Sequence, residues 1–273
     1  MLMNYSFHAN LETSEETTNF EFVSSPSKND FPVGKTDNMR LVSDKIRMPN
    51  DELHIVRPRL CEILSKFSEQ FGATLVTGRA GTGKTTLAID FAKQYERVAW
   101  FRTDASDMDW HTFSRYFLAS FKEDALSFIE EIPSEDTIEE NVQQFLGILF
   151  SELESLSSDR QFLIVLDDLH CVFDADWFEM FFKSLLAYNC PNIRILMLSR
   201  TKPPFPIWRL RSKQKLSVLD EQLLWFTLEE TEQFLAKYRT AHHKACLVHK
   251  ASYGRISKVI ELAELLQTHN SAG

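Results

Sequence analysis

The stretch Gly78-Arg79-Ala80-Gly81-Thr82-Gly83-Lys84-Thr85 constrains this chain more than any other. It satisfies G-x-x-x-x-G-K-[ST], a loop whose backbone N–H groups cradle phosphate oxygens. Its surroundings agree with its letters. Ala73–Thr77 before it is a short β-prone run, and Thr86-Leu87-Ala88-Ile89-Asp90-Phe91-Ala92 after it has helical spacing. A strand, a glycine-rich turn and a helix N-terminus together make an anion site, because free N–H groups and the helix dipole both favour negative charge. Gly78, Gly81 and Gly83 permit the turn. Ala80, Thr82 and Thr86 complete the lining, Lys84 reaches the β- and γ-phosphates, and the Thr85 hydroxyl suits Mg²⁺. A second Gly-Lys-Thr at Gly34-Lys35-Thr36 is a coincidence of letters. Its first motif position is Asn29, and no strand precedes it.

The 273 residues suffice for one large domain, or for one domain with a small companion. Hydrophobic residues make up 44% and charged ones 25%, which predicts a globular, soluble chain, and 22 Phe predict an aromatic-rich core. A net charge of −9 argues against broad electrostatic binding of nucleic acid. Cys61, Cys171, Cys190 and Cys246 form no C-x-x-C pair and read as reduced thiols. The first residues lack the basic and apolar regions of a signal peptide, and no run approaches a membrane span. A cytoplasmic protein without a membrane contact is expected.

Residues 1–45 are rich in Ser, Thr, Asn and Glu without a sustained period, and are expected to form a flexible extension. Residues 46–226 alternate strand and helix signals. Apolar runs at Ala73–Thr77, Arg97–Arg102, 162–166, 193–198 and Leu216–Leu219 read as strands buried on both faces of a parallel sheet. Helical spacing appears around Leu60, Ile63, Leu64 and Phe67, then Phe113 to Phe121, Val142 to Leu149, and Trp177 to Leu185. Asp107 or Asp109 is placed to cap the helix beginning near Trp110. An acidic connection containing Pro133 spans 130–140. Residues 227–273 read as all helix and as a partial lid. It opens on a capping box, Thr227 with Glu230, followed by helices near 240–250 and 256–266. The fold class is therefore α/β, a P-loop parallel sheet sandwiched by helices, with a small helical lid.

The second half of the site follows the third strand. An apolar run ending in Asp167-Asp168 is a Walker B pattern. Asp167 is expected to hold Mg²⁺, and Asp168 to act as general base toward the attacking water. The fourth strand ends in Ser199-Arg200. Where an extra strand lies between the two motif strands, Arg200 is aimed at the γ-phosphate and can stabilise transferring charge.

Several segments carry a family resemblance: Val56-Arg57-Pro58-Arg59-Leu60, the phosphate loop, Val98-Ala99-Trp100 with Asp104, and Leu166-Asp167-Asp168-Leu169-His170. Leu198-Ser199-Arg200-Thr201-Lys202-Pro203-Pro204, Leu210 to Leu216, and Leu224-Trp225-Phe226-Thr227-Leu228-Glu229-Glu230 extend it. In order and spacing these resemble the nucleotide-binding core of the STAND-class, AAA+-like P-loop ATPases, in particular the MalT-type, large LuxR-type regulators. The resemblance covers about 45–265. It implies an ATP/ADP switch with Mg²⁺ and slow hydrolysis to ADP and phosphate, used in signalling and transcription regulation. It implies Lys84, Thr85 and Asp167 in ATP–Mg²⁺ binding, Arg200 as γ-phosphate sensor, Val56 and Arg57 beside the adenine, and self-association or a partner protein under nucleotide control. The winged-helix, repeat and DNA-binding segments of such regulators are not expected within these residues, and Ser252 to Ser257 match the family lid motif loosely, without a proline. Two rival readings stay open: a non-hydrolysing nucleotide-binding interaction module, and a P-loop kinase.

Weaker signals have plainer readings. His242, Cys246 and His249 share one helical face but offer too few ligands for a closed metal site. Arg200, Lys202, Arg209, Arg211, Lys213 and Lys215 read as a solvated connector rather than a nucleic-acid surface. Asp104, Asp107 and Asp109 lack the glycine of a calcium loop and read as caps.

Overall fold

The computed structural model describes residues 43–50, 55–121, 137–156, 161–188, 190–237 and 242–271. The expected flexible extension, apart from its last residues, and most of the acidic connection lie outside them. The strands β1 (Ala73–Thr77), β2 (Arg97–Arg102), β3 (Phe162–Asp167), β4 (Ile193–Ser199) and β5 (Leu216–Leu219) form one sheet in the order β2-β3-β4-β1-β5. Every pairing is parallel. β4 thus lies between the strand that feeds the phosphate loop and the strand that ends in Asp167.

Strand side chains alternate between the two faces. Ile164 and Leu166 of β3 pack on one face, while Leu163 and Val165 pack on the other. Ile195 and Met197 of β4 oppose Leu196 and Leu198 in the same way. Both faces are covered, so the strands read as unbroken apolar runs rather than alternating ones. The first face is covered by α3 (Trp110–Ala119), α4 (Ile138–Leu156) and α5 (Phe178–Leu185). Its core is aromatic. The Phe113 and Trp177 rings lie 4.3 Å apart, Phe113 meets Phe181 edge-on at 4.9 Å, and the Trp177 indole N–H donates to the Met108 carbonyl at 2.8 Å. The second face is covered by α1 (Pro58–Gln70), which begins on a proline, and α2 (Lys84–Ala92), through Leu60, Leu64, Leu87 and Phe91.

Short helices α6 (Trp208–Ser212) and α7 (Glu221–Leu224) flank β5; the sequence pattern did not announce them. The C-terminal helices α8 (Leu228–Lys237), α9 (His242–Ser252) and α10 (Ile256–Ser271) enclose a separate apolar cluster that includes Phe226, Phe234, Val248 and Val259. Asp109 caps α3, accepting from the Thr112 amide at 2.8 Å. Asp107 serves otherwise: it is fully buried and pairs with Lys45 at 2.8 Å, which also meets Asp104 at 2.9 Å. No helix among the described residues is long and apolar enough to cross a membrane. Cys61, Cys171, Cys190 and Cys246 are all free thiols.

Candidate functional site

The phosphate loop closes on two left-handed glycines, Gly81 at φ +74° and Gly83 at φ +75°. Gly83 is the N-cap of α2, and a Cβ there would stand 2.9 Å from the Arg57 guanidinium and 3.0 Å from Ile256. Only glycine meets both demands. Lys84 opens α2 and folds back, donating to the carbonyls of Gly78 at 2.5 Å and Arg79 at 2.9 Å. Burial lowers its pKa, against the opposing pull of Asp168 and Asp167. Thr85 donates to Asp167 Oδ2 at 3.1 Å, joining the end of β3 to the start of α2.

Asp167 is 2% exposed. Burial first, then the charge of Asp168, push its carboxyl up to about 6. Asp168 stands in the left-handed region at φ +54°, and its amide donates to Asp167 Oδ1 at 2.9 Å. Its carboxylate is held from β2 by Arg102, whose Nε reaches Oδ2 at 3.3 Å. His170, with its pKa lowered by burial, stands 4.0 Å from the other oxygen. Arg200 is exposed at the end of β4, near enough for its charge to bear on Lys84 and His170. Gly78 to Thr86, Asp167, Asp168 and Arg200 therefore converge at the C-terminal ends of β1, β3 and β4.

Two residues are placed differently. Val56 is exposed and lines a groove of about 630 Å³ with Pro58, Cys61 and Asp90, between α1 and α2. Arg57 is 2% exposed, and its guanidinium is spent on backbone: Nη1 donates to the Leu224 carbonyl at 3.1 Å and Nη2 to the Gly83 carbonyl at 2.6 Å. The lid meets the loop through the start of α10. Ser252, Tyr253 and Gly254 turn the chain there, with Tyr253 at φ +53° and Gly254 at φ +73°. A Cβ on Gly254 would lie 2.3 Å from the Phe226 carbonyl oxygen, so the turn requires glycine.

Sequence reasoning missed Arg102 and the pair Arg79–Glu221. Arg79 donates from Nη2 at 2.9 Å and from its backbone amide at 3.1 Å. Among the described residues no three His, Cys, Asp or Glu side chains cluster as metal ligands, and His249 shares a 2.9 Å hydrogen bond with Thr231.

The arrangement fits a magnesium-bound phosphate ligand. The Lys84 ammonium is held by neutral carbonyls, which an anion displaces readily. Thr85 and Asp167 offer a hydroxyl and a carboxylate side by side, the hard oxygen set that Mg²⁺ takes alongside phosphate oxygens.

The family profile described as AAA ATPase domain matches residues 57–187. The HTH-type transcriptional regulator MalT of Serratia proteamaculans is 30% identical over 195 residues, covering 71% of this chain and 21% of that protein. The chain thus spans about a fifth of the length of the curated relatives it matches. Among solved structures, the Walker-type ATPase PABY2304 of Pyrococcus abyssi aligns at 12% identity with a TM-score of 0.49, covering 78% of this chain and 68% of that one. A chain of the Drosophila ORC bound to DNA aligns at 18% identity with a TM-score of 0.48, covering 78% and 59%.

Proposed function

We propose that this chain, which matches the AAA ATPase domain profile over residues 57–187 and is similar to MalT regulators over 195 residues, binds Mg-ATP, hydrolyses it slowly, and serves as the nucleotide switch of a regulatory protein. The observation that carries this reading is the convergence of Lys84, Thr85, Asp167 and Asp168 on a loop shaped by left-handed glycines. Lys84 exchanges the Gly78 and Arg79 carbonyls for phosphate oxygens. Thr85 and Asp167 would hold Mg²⁺, which would supply neutralisation of the phosphate charge. Asp168 orients the attacking water and takes its proton, and Arg200 stabilises charge on the transferring group. Slow turnover is consistent with the Arg102 contact, which engages the Asp168 carboxylate that must face water. The same contact favours a second reading, a resting state that binds nucleotide without hydrolysing it. In either case the nucleotide state governs self-association or the docking of a partner protein, and transcription regulation is the setting that the MalT relatives suggest.

The test is to purify the protein without added nucleotide, denature it, and identify what is released by chromatography, beside Lys84→Ala. ADP or ATP released from the wild type alone is expected, and Lys84→Ala should show no measurable turnover. Equal binding and hydrolysis by Lys84→Ala would remove the site assignment.

A further inference from the structure

We infer that Glu221 is a positioning residue for the phosphate loop, holding its outer arm open through Arg79 while the rest of α7 holds the loop's heel. The inference rests on the nucleotide-binding reading above and extends it to a residue outside the motif. Glu221 accepts twice from the Arg79 guanidinium, from Nη2 at 2.9 Å and from Nε at 3.1 Å, and once from the Arg79 backbone amide at 3.1 Å. The amide bond matters most. Backbone N–H groups are what a phosphate loop presents, and this one is turned outward onto a carboxylate, which sets where the loop's arm departs from β1.

The heel is fixed from the same four-residue helix. Arg57 bridges the carbonyls of Leu224 and Gly83, so the end of α7 is tied to the N-cap of α2. Arg59 donates to the carbonyls of Leu223 at 3.2 Å and Trp225 at 3.3 Å, and reaches Glu230 of the lid at 3.3 Å. Gly78 lies against the same turn, its missing Cβ 3.2 Å from Leu224 and 3.3 Å from Glu221. Both ends of the phosphate loop are thus gripped by a turn that runs directly into the first lid helix. A lid displacement that moves α7 moves Glu221, and the loop loses its phosphate-binding shape.

The Arg79–Glu221 pair has an exposed arginine, 68% accessible, so its contribution to global stability is small. A purely structural role would therefore leave little trace, whereas a positioning role appears in nucleotide affinity. The experiment measures Mg-ATP affinity with a fluorescent ATP analogue for wild type, Glu221→Ala, Arg79→Ala and the double variant, with melting temperatures alongside. Lys183→Ala, which breaks the Lys183–Glu179 pair on α5, is the control for an ordinary surface ion pair. Glu221→Ala is expected to weaken binding about tenfold with a melting temperature near wild type. Arg79→Ala should weaken it less, because the amide bond survives, and the double variant should be no worse than Glu221→Ala. Unchanged affinity in Glu221→Ala overturns the inference. So does a double loss equal to the product of the single losses, or an Arg79→Ala effect larger than that of Glu221→Ala, which would place Arg79 on the nucleotide itself. Amide exchange in the nucleotide-free protein separates this inference from the function it rests on. Faster exchange of the Arg79 amide in Glu221→Ala sustains the clamp even if the wild type binds no ATP, and unchanged exchange removes it.

Discussion

Asp167 is a carboxyl at the end of β3, 2% exposed and next to another acid, with its pKa pushed up to about 6. In the unfolded chain it titrates near ~3.9, so the nucleotide-free folded state binds this proton more tightly. The sign follows: the group's contribution is most favourable below the unfolded pKa and is lost as pH rises through about 6. Across that window the loss is about 3 kcal/mol. Asp167→Asn keeps an acceptor for Thr85 and carries no charge. It is expected to unfold at a higher denaturant midpoint than wild type at pH 8, with the gap narrowing toward pH 4, and to bind Mg-ATP more weakly. A gap that does not change with pH would mean that Asp167 is not the titrating group. The motif residues are legible one by one because each chemical role demands its residue type. The partners that hold them are not, since Arg79 and Glu221 lie 142 residues apart and nothing local links them. Arg57 shows the same limit. A buried guanidinium suits a base edge or two carbonyls equally well, and only the packed structure shows it on Leu224 and Gly83.

Among the elements, α8 depends most on its first turn. Thr227 accepts from the Glu230 amide at 3.1 Å, Glu230 accepts from the Thr227 amide at 2.9 Å, and Glu230 also receives Arg59. Glu230→Ala removes the reciprocal cap and leaves Arg59 without its carboxylate. A loss of about 1–2 kcal/mol is expected in denaturant unfolding, with Glu230→Gln losing less. If Glu230→Ala unfolds at the wild-type midpoint, the cap is idle and α8 is held by its apolar face alone. This capping box is visible in the sequence, as are the sheet strands, because a run buried on both faces leaves an unbroken apolar signature. The alternation that assigns Ile164 and Leu163 to opposite faces is not visible, since both sides are equally apolar. Helices α6 and α7 escaped notice for another reason. Elements of 5 and 4 residues complete hardly more than one turn, too little for a period to show.

For the molecule as a whole, the phosphate loop sits where the sheet core and the lid core meet. Arg57 donates to the Gly83 carbonyl, a Cβ on Gly83 would meet Ile256 and one on Gly78 would meet Leu224, and the Phe226 amide donates to the Gly254 carbonyl at 2.7 Å. A ligand that fixes this loop is therefore linked to the folding of both apolar clusters. A ligand bound only by the native state stabilises it by about 2.7 kcal/mol at a free concentration ~100 times its Kd. For a chain of this size that corresponds to a rise in melting temperature of about 5–10 °C. Titrating Mg-ATP should accordingly move the thermal transition upward with the logarithm of concentration, in wild type and not in Lys84→Ala. Because the lid is tied to the loop through Arg57, Arg59 and Ile256, intrinsic fluorescence of Trp225 beside the lid and of Trp110 and Trp177 in the aromatic core should shift together. Single-tryptophan variants separate the signals. A Trp225 transition that stays in place while the core transition rises would show that the lid melts on its own, and that nucleotide binding stabilises the sheet without engaging it.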